Sequence, residues 1–146
     1  MCIRDSAIGA GITVGLNLGE NAKSALIARS FAEISRIGKS LKAKPETIFG
    51  LSGLGDLILT CNSLKSRNTN FGHLIASQQQ ISIEEHLKSQ ETTEGYFTAK
   101  AVKQIAEEKK ITMPIMEAIY NILYNHRPIF DEINKLLNRP ATDEFY

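Results

Sequence analysis

The sequence predicts an all-α domain, a multi-helix bundle, and three observations carry that reading. Apolar side chains recur at three- and four-residue steps over long stretches, the mark of helices with one buried stripe. Alternating apolar and polar runs, the mark of a half-buried strand, are nearly absent. Helix-start chemistry stands where these stretches begin, at Lys44-Pro45-Glu46, Ser82 and Pro114. With 146 residues, 42% of them apolar, one continuous core is within reach.

From Asn21 to about Leu41, Leu26, Ile27, Phe31, Ile34, Ile37 and Leu41 keep helical spacing, with Arg29, Ser30, Glu33 and Lys39 between them. This segment is expected to be the longest helix and the spine of the core, with Asn21 as a cap. Proline in the first turn and an acid at the positive end of the dipole start a short helix at Pro45, ending near Gly50. A third helix begins near Ser66 and carries Phe71, Leu74 and Ile75, after which Gln78-Gln79-Gln80 reads as a solvated connector. A fourth starts at Ser82, where Glu85 would complete a capping box. Gly95 to Lys110 reads as a helix through Tyr96, Ala99, Val102, Ile105 and Ala106. Pro114 opens another that carries Ile115, Ala118, Ile119, Ile122 and Leu123, and Asp131 to Leu137 makes a last short one before Arg139-Pro140.

Ala7 to Gly19 concentrates four of the ten glycines among small apolar residues. Its Gly9-Ala10-Gly11 is not a dinucleotide fingerprint, because no strand precedes it and Gly15 falls at the wrong spacing. Close helix packing beside a site is the expected role.

A formal net charge of +1, from 17 basic and 16 acidic residues, gives no broad field for nucleic acid or an anionic membrane, so the expected partner is small. Cys2 and Cys61 are too few for a disulfide framework and lack zinc-ribbon spacing. His73, His86 and His126 share no metal-ligand spacing, and no metal site is expected. No apolar run is long enough to span a bilayer, and a cytoplasmic location is the expectation.

The chemistry-bearing residues crowd into Gly53-Leu54-Gly55-Asp56-Leu57-Ile58-Leu59-Thr60-Cys61 and the following Ser66-Arg67-Asn68. Asp56 sits in an apolar segment where a carboxylate needs a partner, and Thr60 lies one helical turn on. The alternative for Asp56 is a simple helix cap. Arg67, between two hydrogen-bonding side chains at a helix start, can grip a phosphate with two parallel bonds; the alternative is a solvated surface arginine. Glu94 reads first as a helix-start acid.

These segments, with Gly19-Glu20-Asn21-Ala22-Lys23-Ser24-Ala25-Leu26 upstream and Glu94-Gly95-Tyr96 downstream, resemble the NAD(P)-dependent glycerol-3-phosphate dehydrogenases of bacterial type. The resemblance covers about Ala7 to Phe130 and is to their C-terminal half. It implies a helical domain like the C-terminal domain of 6-phosphogluconate dehydrogenase. It also implies an oxidoreductase interconverting dihydroxyacetone phosphate and sn-glycerol 3-phosphate with NAD or NADP for glycerophospholipid synthesis, and a homodimer. By the same resemblance Asp56, Thr60, Ser66, Arg67 and Asn68 bind substrate, Asp56 holds the catalytic lysine, and Arg67, Thr92 and Glu94 reach the cofactor.

In that family a lysine–asparagine pair precedes the Ala7-Ile8-Gly9-Ala10-Gly11-Ile12 segment, and counting back from Ala7 puts its lysine at Ile3. Residues 1–6 are therefore expected to be a foreign start, 7–140 the helical substrate-binding domain and 141–146 a frayed tail. The N-terminal Rossmann domain and the catalytic lysine are expected to be missing, and the fragment alone inactive. Two other readings compete: a related dehydrogenase domain for another hydroxy acid, against which the Ser66-Arg67-Asn68 triplet argues, and a non-enzymatic helical interaction module.

Overall fold

The computed structural model describes residues 2–77, 82–89 and 93–140, and among them every regular element is helical. In chain order these are α1 (Cys2–Gly15), α2 (Glu20–Ser40), α3 (Pro45–Phe49), a π-helical turn (Leu51–Gly55), α4 (Asp56–Cys61), α5 (Arg67–Ser77), α6 (Ile83–Lys88), α7 (Glu94–Lys109), α8 (Pro114–Tyr124) and α9 (Ile129–Leu137). The all-α prediction holds, and the helices expected from proline, serine and apolar spacing appear within a few residues of their predicted bounds. Gln78-Gln79-Gln80 and the tail 141–146 lie outside the described residues.

The spine differs from expectation. α2 is the longest helix, but its fully buried residues are Ser30, Glu33 and Ile37, and the central helix is α1, buried continuously from Asp5 to Thr13. The reason is the glycine stretch. A Cβ on Gly11 would collide with the Thr69 carbonyl oxygen and one on Gly72 with that of Ile8, while one on Gly15 would fall 2.7 Å from the His73 oxygen. Without side chains at these positions α1 and α5 touch backbone to backbone, and a helix held that closely on one face has no room to be peripheral.

Two apolar clusters result. The larger joins Ile8 and Ile12 of α1 to Phe71 and Ile75 of α5, Val102 of α7 and Ile119, Ile122 and Leu123 of α8. The smaller lies on the other side of α1, where Ala7 and Ala10 meet Leu57 and Cys61 of α4, with Ile3, Leu26, Ile27 and Phe31 packed around them.

Polar groups fix the joints. The Glu33 side chain accepts from the backbone N–H groups of Ile115 at 2.8 Å and Met116 at 3.1 Å, satisfying two donors at the start of α8. Ser82 accepts from the Glu85 N–H at 3.1 Å, the expected cap of α6. α7 closes on Lys110 in the left-handed region, with the Ile111 N–H bonded back to Ala106 at 2.8 Å. The residue before α2 is Gly19 at φ 92°, so Asn21 lies inside the first turn and does not cap it.

Candidate functional site

The residues singled out from the sequence lie on α4 and at the starts of α5 and α7, joined to one another and to α1 by a few polar contacts. The π-helical turn feeds directly into α4, so Asp56 and Thr60 stand one turn apart on the same face. Thr60 Oγ1 donates to Asp56 Oδ1 at 3.2 Å. Thr69 Oγ1, buried in α5, donates to the Thr60 carbonyl at 2.8 Å and ties α4 to the first turn of α5.

Asp56 corrects one expectation. Its carboxylate is exposed, not enclosed by the apolar segment around it; Leu57 and Cys61 turn inward instead, and Leu51 and Leu59 are left 90% and 70% exposed.

At the start of α5, Ser66 Oγ accepts from the Thr69 N–H at 3.5 Å, a long capping contact. Arg67 occupies the first helical position, exposed, and makes no ion pair with any described residue. Asn68 is engaged within the fold: its Oδ1 accepts from the Gly95 N–H at 2.8 Å and so caps α7 from a neighbouring helix. The fit is close, since a Cβ on Gly95 would lie 2.6 Å from that oxygen and 2.8 Å from Ile8 Cδ1.

Glu94 opens α7, as its sequence position implied, and its carboxylate pairs with Arg4 at 2.6 Å. Thr92 lies outside the described residues. Ile3, at the position counted for a lysine, packs against the Ala7–Ala10–Leu57–Cys61 cluster beneath α4.

Three polar residues of this region were not singled out in advance. Arg4 and Asp5 fall in the segment expected to be foreign, yet both belong to α1. Asp5 is fully buried with neither carboxylate oxygen hydrogen-bonded among the described residues, and burial pushes its carboxyl up to about 8. Glu33, 1% exposed, is pushed by burial to about 7 despite its two backbone donors. Spacing puts Ser30, Glu33 and Ile37 on one face of α2, but the partner that Glu33 serves there is 82 residues away. Cys2 and Cys61 are free and buried, and burial raises both thiols to about 12, the setting of a packing cysteine. His86 is buried and stacks on Phe71 with ring centroids 4.6 Å apart, a packing role. Among the described residues no cluster of histidine, cysteine and carboxylate side chains could hold a metal ion, and no helix is long and apolar enough to cross a membrane.

Known proteins share this arrangement. Residues 6–134 match the family described as the NAD-dependent glycerol-3-phosphate dehydrogenase C-terminus. A glycerol-3-phosphate dehydrogenase [NAD(P)+] from Bartonella henselae is 45% identical over 141 residues, which is 96% of this chain and 41% of the relative. The crystal structure of a glycerol-3-phosphate dehydrogenase from Coxiella burnetii superposes with a TM-score of 0.87 at 34% identity, over 94% of this chain and 42% of that one. The enzyme of the same name from Saccharomyces cerevisiae gives 0.80 at 28% identity, over 91% of this chain and 39% of that one. This chain thus spans about two fifths of the length of the relatives it matches. With the helix order, the glycine-packed central helix and the match over residues 6–134 in agreement, the chain belongs to the family of the C-terminal domain of NAD-dependent glycerol-3-phosphate dehydrogenase.

Proposed function

We propose that this chain forms the substrate-binding half of an enzyme interconverting dihydroxyacetone phosphate and sn-glycerol 3-phosphate, in the cytoplasm and as a homodimer. The observation that carries the proposal is Arg67: an exposed guanidinium on the first turn of α5, without an ion-pair partner among the described residues. The N–H groups of that turn add their partial positive charge to its full one, the combination a phosphate monoester needs. Ser66 and Asn68 flank it, and the Asp56–Thr60 pair stands on the helix tied to the same turn. A substrate carrying a hydroxyl and a phosphate would be held at both ends by this set. A hydroxy acid without phosphate would leave Arg67 idle.

A dinucleotide finds only edge contacts here. Among the described residues there is no strand and no glycine-rich turn from strand to helix, so Arg67, Glu94 and, outside the described residues, Thr92 can supply one border of its site. Bound nicotinamide would supply hydride chemistry, and positioning it against the substrate falls to a nucleotide-binding half. The exposed Leu51 and Leu59 beside Asp56 suit the face such a half would cover.

Ile3 stands where the family's proton-handling lysine is counted, so this chain places a hydrocarbon beside α4 where a cation would be needed. This reading keeps 7–140 as the substrate domain and residues 1–6 as a foreign start, although Cys2 to Ser6 belong to α1.

The test combines this chain with the nucleotide-binding half of a relative in one polypeptide. The Ile3→Lys chimera is expected to reduce dihydroxyacetone phosphate, and the Ile3 chimera is expected to be at least a hundredfold slower, the scale of positioned acid–base catalysis. Arg67→Ala in the active chimera should raise KM for the phosphate ester by about tenfold or more, the cost of a lost charge-assisted bond. An unchanged KM would remove the phosphate role from Arg67.

A further inference from the structure

On the side of α1 away from α5, a cavity of about 480 Å³ opens between α1, α2, α8 and α9. None of Asp56, Thr60, Ser66, Arg67, Asn68 or Glu94 lines it. Its walls are hydrocarbon: Ile12 from α1, Leu26 from α2, Ile119 from α8, Ile133 and Leu136 from α9. The polar groups within it are already used, among them Arg36, which donates from Nη2 to the Thr112 carbonyl at 3.0 Å. Glu33 gives its two oxygens to the start of α8, and Thr13 Oγ1 donates to the Ala10 carbonyl at 2.7 Å. At the rim stand Arg29 and Arg139, both exposed and neither in an ion pair among the described residues. Part of this wall, Leu136 and Arg139, lies beyond residue 134, where the family match ends.

We infer that this cavity binds a single-chain amphiphile with a carboxylate head, a fatty carboxylate of about ten carbons. The volume lies within the ~300–1,000 Å³ span of small-ligand sites, and an apolar interior with cations at the mouth asks for a long hydrocarbon tail ending in one anion. A sugar phosphate would strand its hydroxyls against isoleucine and leucine, and a peptide would strand its backbone groups there. Glu33 turns both oxygens to the N–H groups of α8, and Arg29, Arg36 and Arg139 outnumber it around the cavity. The mouth therefore stays net positive.

Calorimetric titration of the 146-residue chain with decanoate, kept below its micellar concentration, tests this directly. One saturable site per chain is expected, with affinity falling about fourfold for each methylene removed on going to octanoate and hexanoate. Decanol should bind about tenfold more weakly than decanoate. The double variant Arg29→Gln, Arg139→Gln should remove that preference and leave the affinity for decanol alone. Ala25→Trp, on an exposed position of α2 that lines the cavity, should fill it and abolish both. Both arginines are exposed, so folding of the double variant is not at stake, and circular dichroism verifies it. Absence of a saturable site in folded protein overturns the inference, as does affinity indifferent to chain length or to the loss of both arginines. None of these outcomes bears on Arg67, because the two sites share no residue.

Discussion

Arg4 and Glu94 join the beginnings of two helices, with Arg4 Nη2 2.6 Å from Glu94 Oε2. Both side chains are about half exposed, at 49% and 54%, so solvent screens the pair. Replacing Arg4 by Asn should therefore cost under about 1 kcal/mol, and the difference from the parent chain should vanish in molar salt. Thermal melts at low and high salt measure it. A larger loss that persists in salt would mean the pair organises the start of α7. The variant also releases Glu94 for a ligand, so a chimera carrying it should bind the dinucleotide more tightly than one with Arg4.

Asn68 works as a cap for a helix other than its own. Asn68→Ala removes the acceptor of the Gly95 N–H and should destabilise the chain by about 1 kcal/mol, within the ~0.5–2 range of lost caps. Asn68→Asp keeps the acceptor and should restore most of that. Urea denaturation gives the energies. Amide exchange in the first turn of α7 should accelerate in the alanine variant only, and acceleration spread evenly over the chain would contradict the capping role.

The glycines of α1 and α5 should divide sharply. A methyl on Gly11 meets backbone atoms of Thr69 and His73, and one on Gly72 meets the backbone of Ile8, which cannot step aside. Each alanine variant should cost about 3 kcal/mol or more, or fail to fold, as overpacking against rigid neighbours does. On Gly9 the new methyl meets only the ends of Ile119 and Leu26, at 3.2 and 3.4 Å. There the strain is offset by the ~0.5–1 kcal/mol that alanine gains over glycine in a helix, and Gly9→Ala should be nearly neutral. Chemical denaturation of the three variants decides between this and a uniform effect.

Much of this was legible in the sequence because each signal is local. Pro45, Pro114 and Ser82 declare helix starts through their own backbone chemistry, and Ile115, Ala118, Ile119, Ile122 and Leu123 fall on the buried face of α8 by spacing alone. What could not be read depends on a distant partner. Glu33 sits among apolar residues on α2, and its purpose appears only when the start of α8 arrives beside it. The exposure of Asp56 is of the same kind: α1 covers Leu57 and Cys61 and leaves Asp56, Ile58 and Leu59 outside, a division set by a segment distant in the chain. Among the site residues, Asp56 and Thr60 are brought into contact and Asn68 is drawn into the fold. Arg67 is left facing outward.

Acid should stabilise this chain. Asp5 holds its proton in the folded state up to about pH 8, and Glu33 to about 7, whereas unfolded carboxyls release theirs near 4. Between these limits the folded state binds more protons than the unfolded one, so stability falls as pH rises from about 4 to 8. Asp5→Asn takes one of the two groups out of the linkage. It should flatten the slope and raise stability at pH 8 by on the order of a few kcal/mol, read from denaturant midpoints across that range. A slope unchanged by Asp5→Asn would show that the carboxyl reaches water.

The backbone seam between α1 and α5 also governs the order in which the molecule can assemble. Among the described elements α1 precedes the surface that receives it, around Thr69, Gly72 and His73, which follows only after α2, α3 and α4. Its glycine-rich face has little side-chain surface with which to hold a provisional partner, so it must wait for the right one. Contacts between segments so far apart in the chain close slowly, and folding should be limited by this one docking event and not by formation of the helices themselves. α1 thus waits for a seat that is made three helices after it.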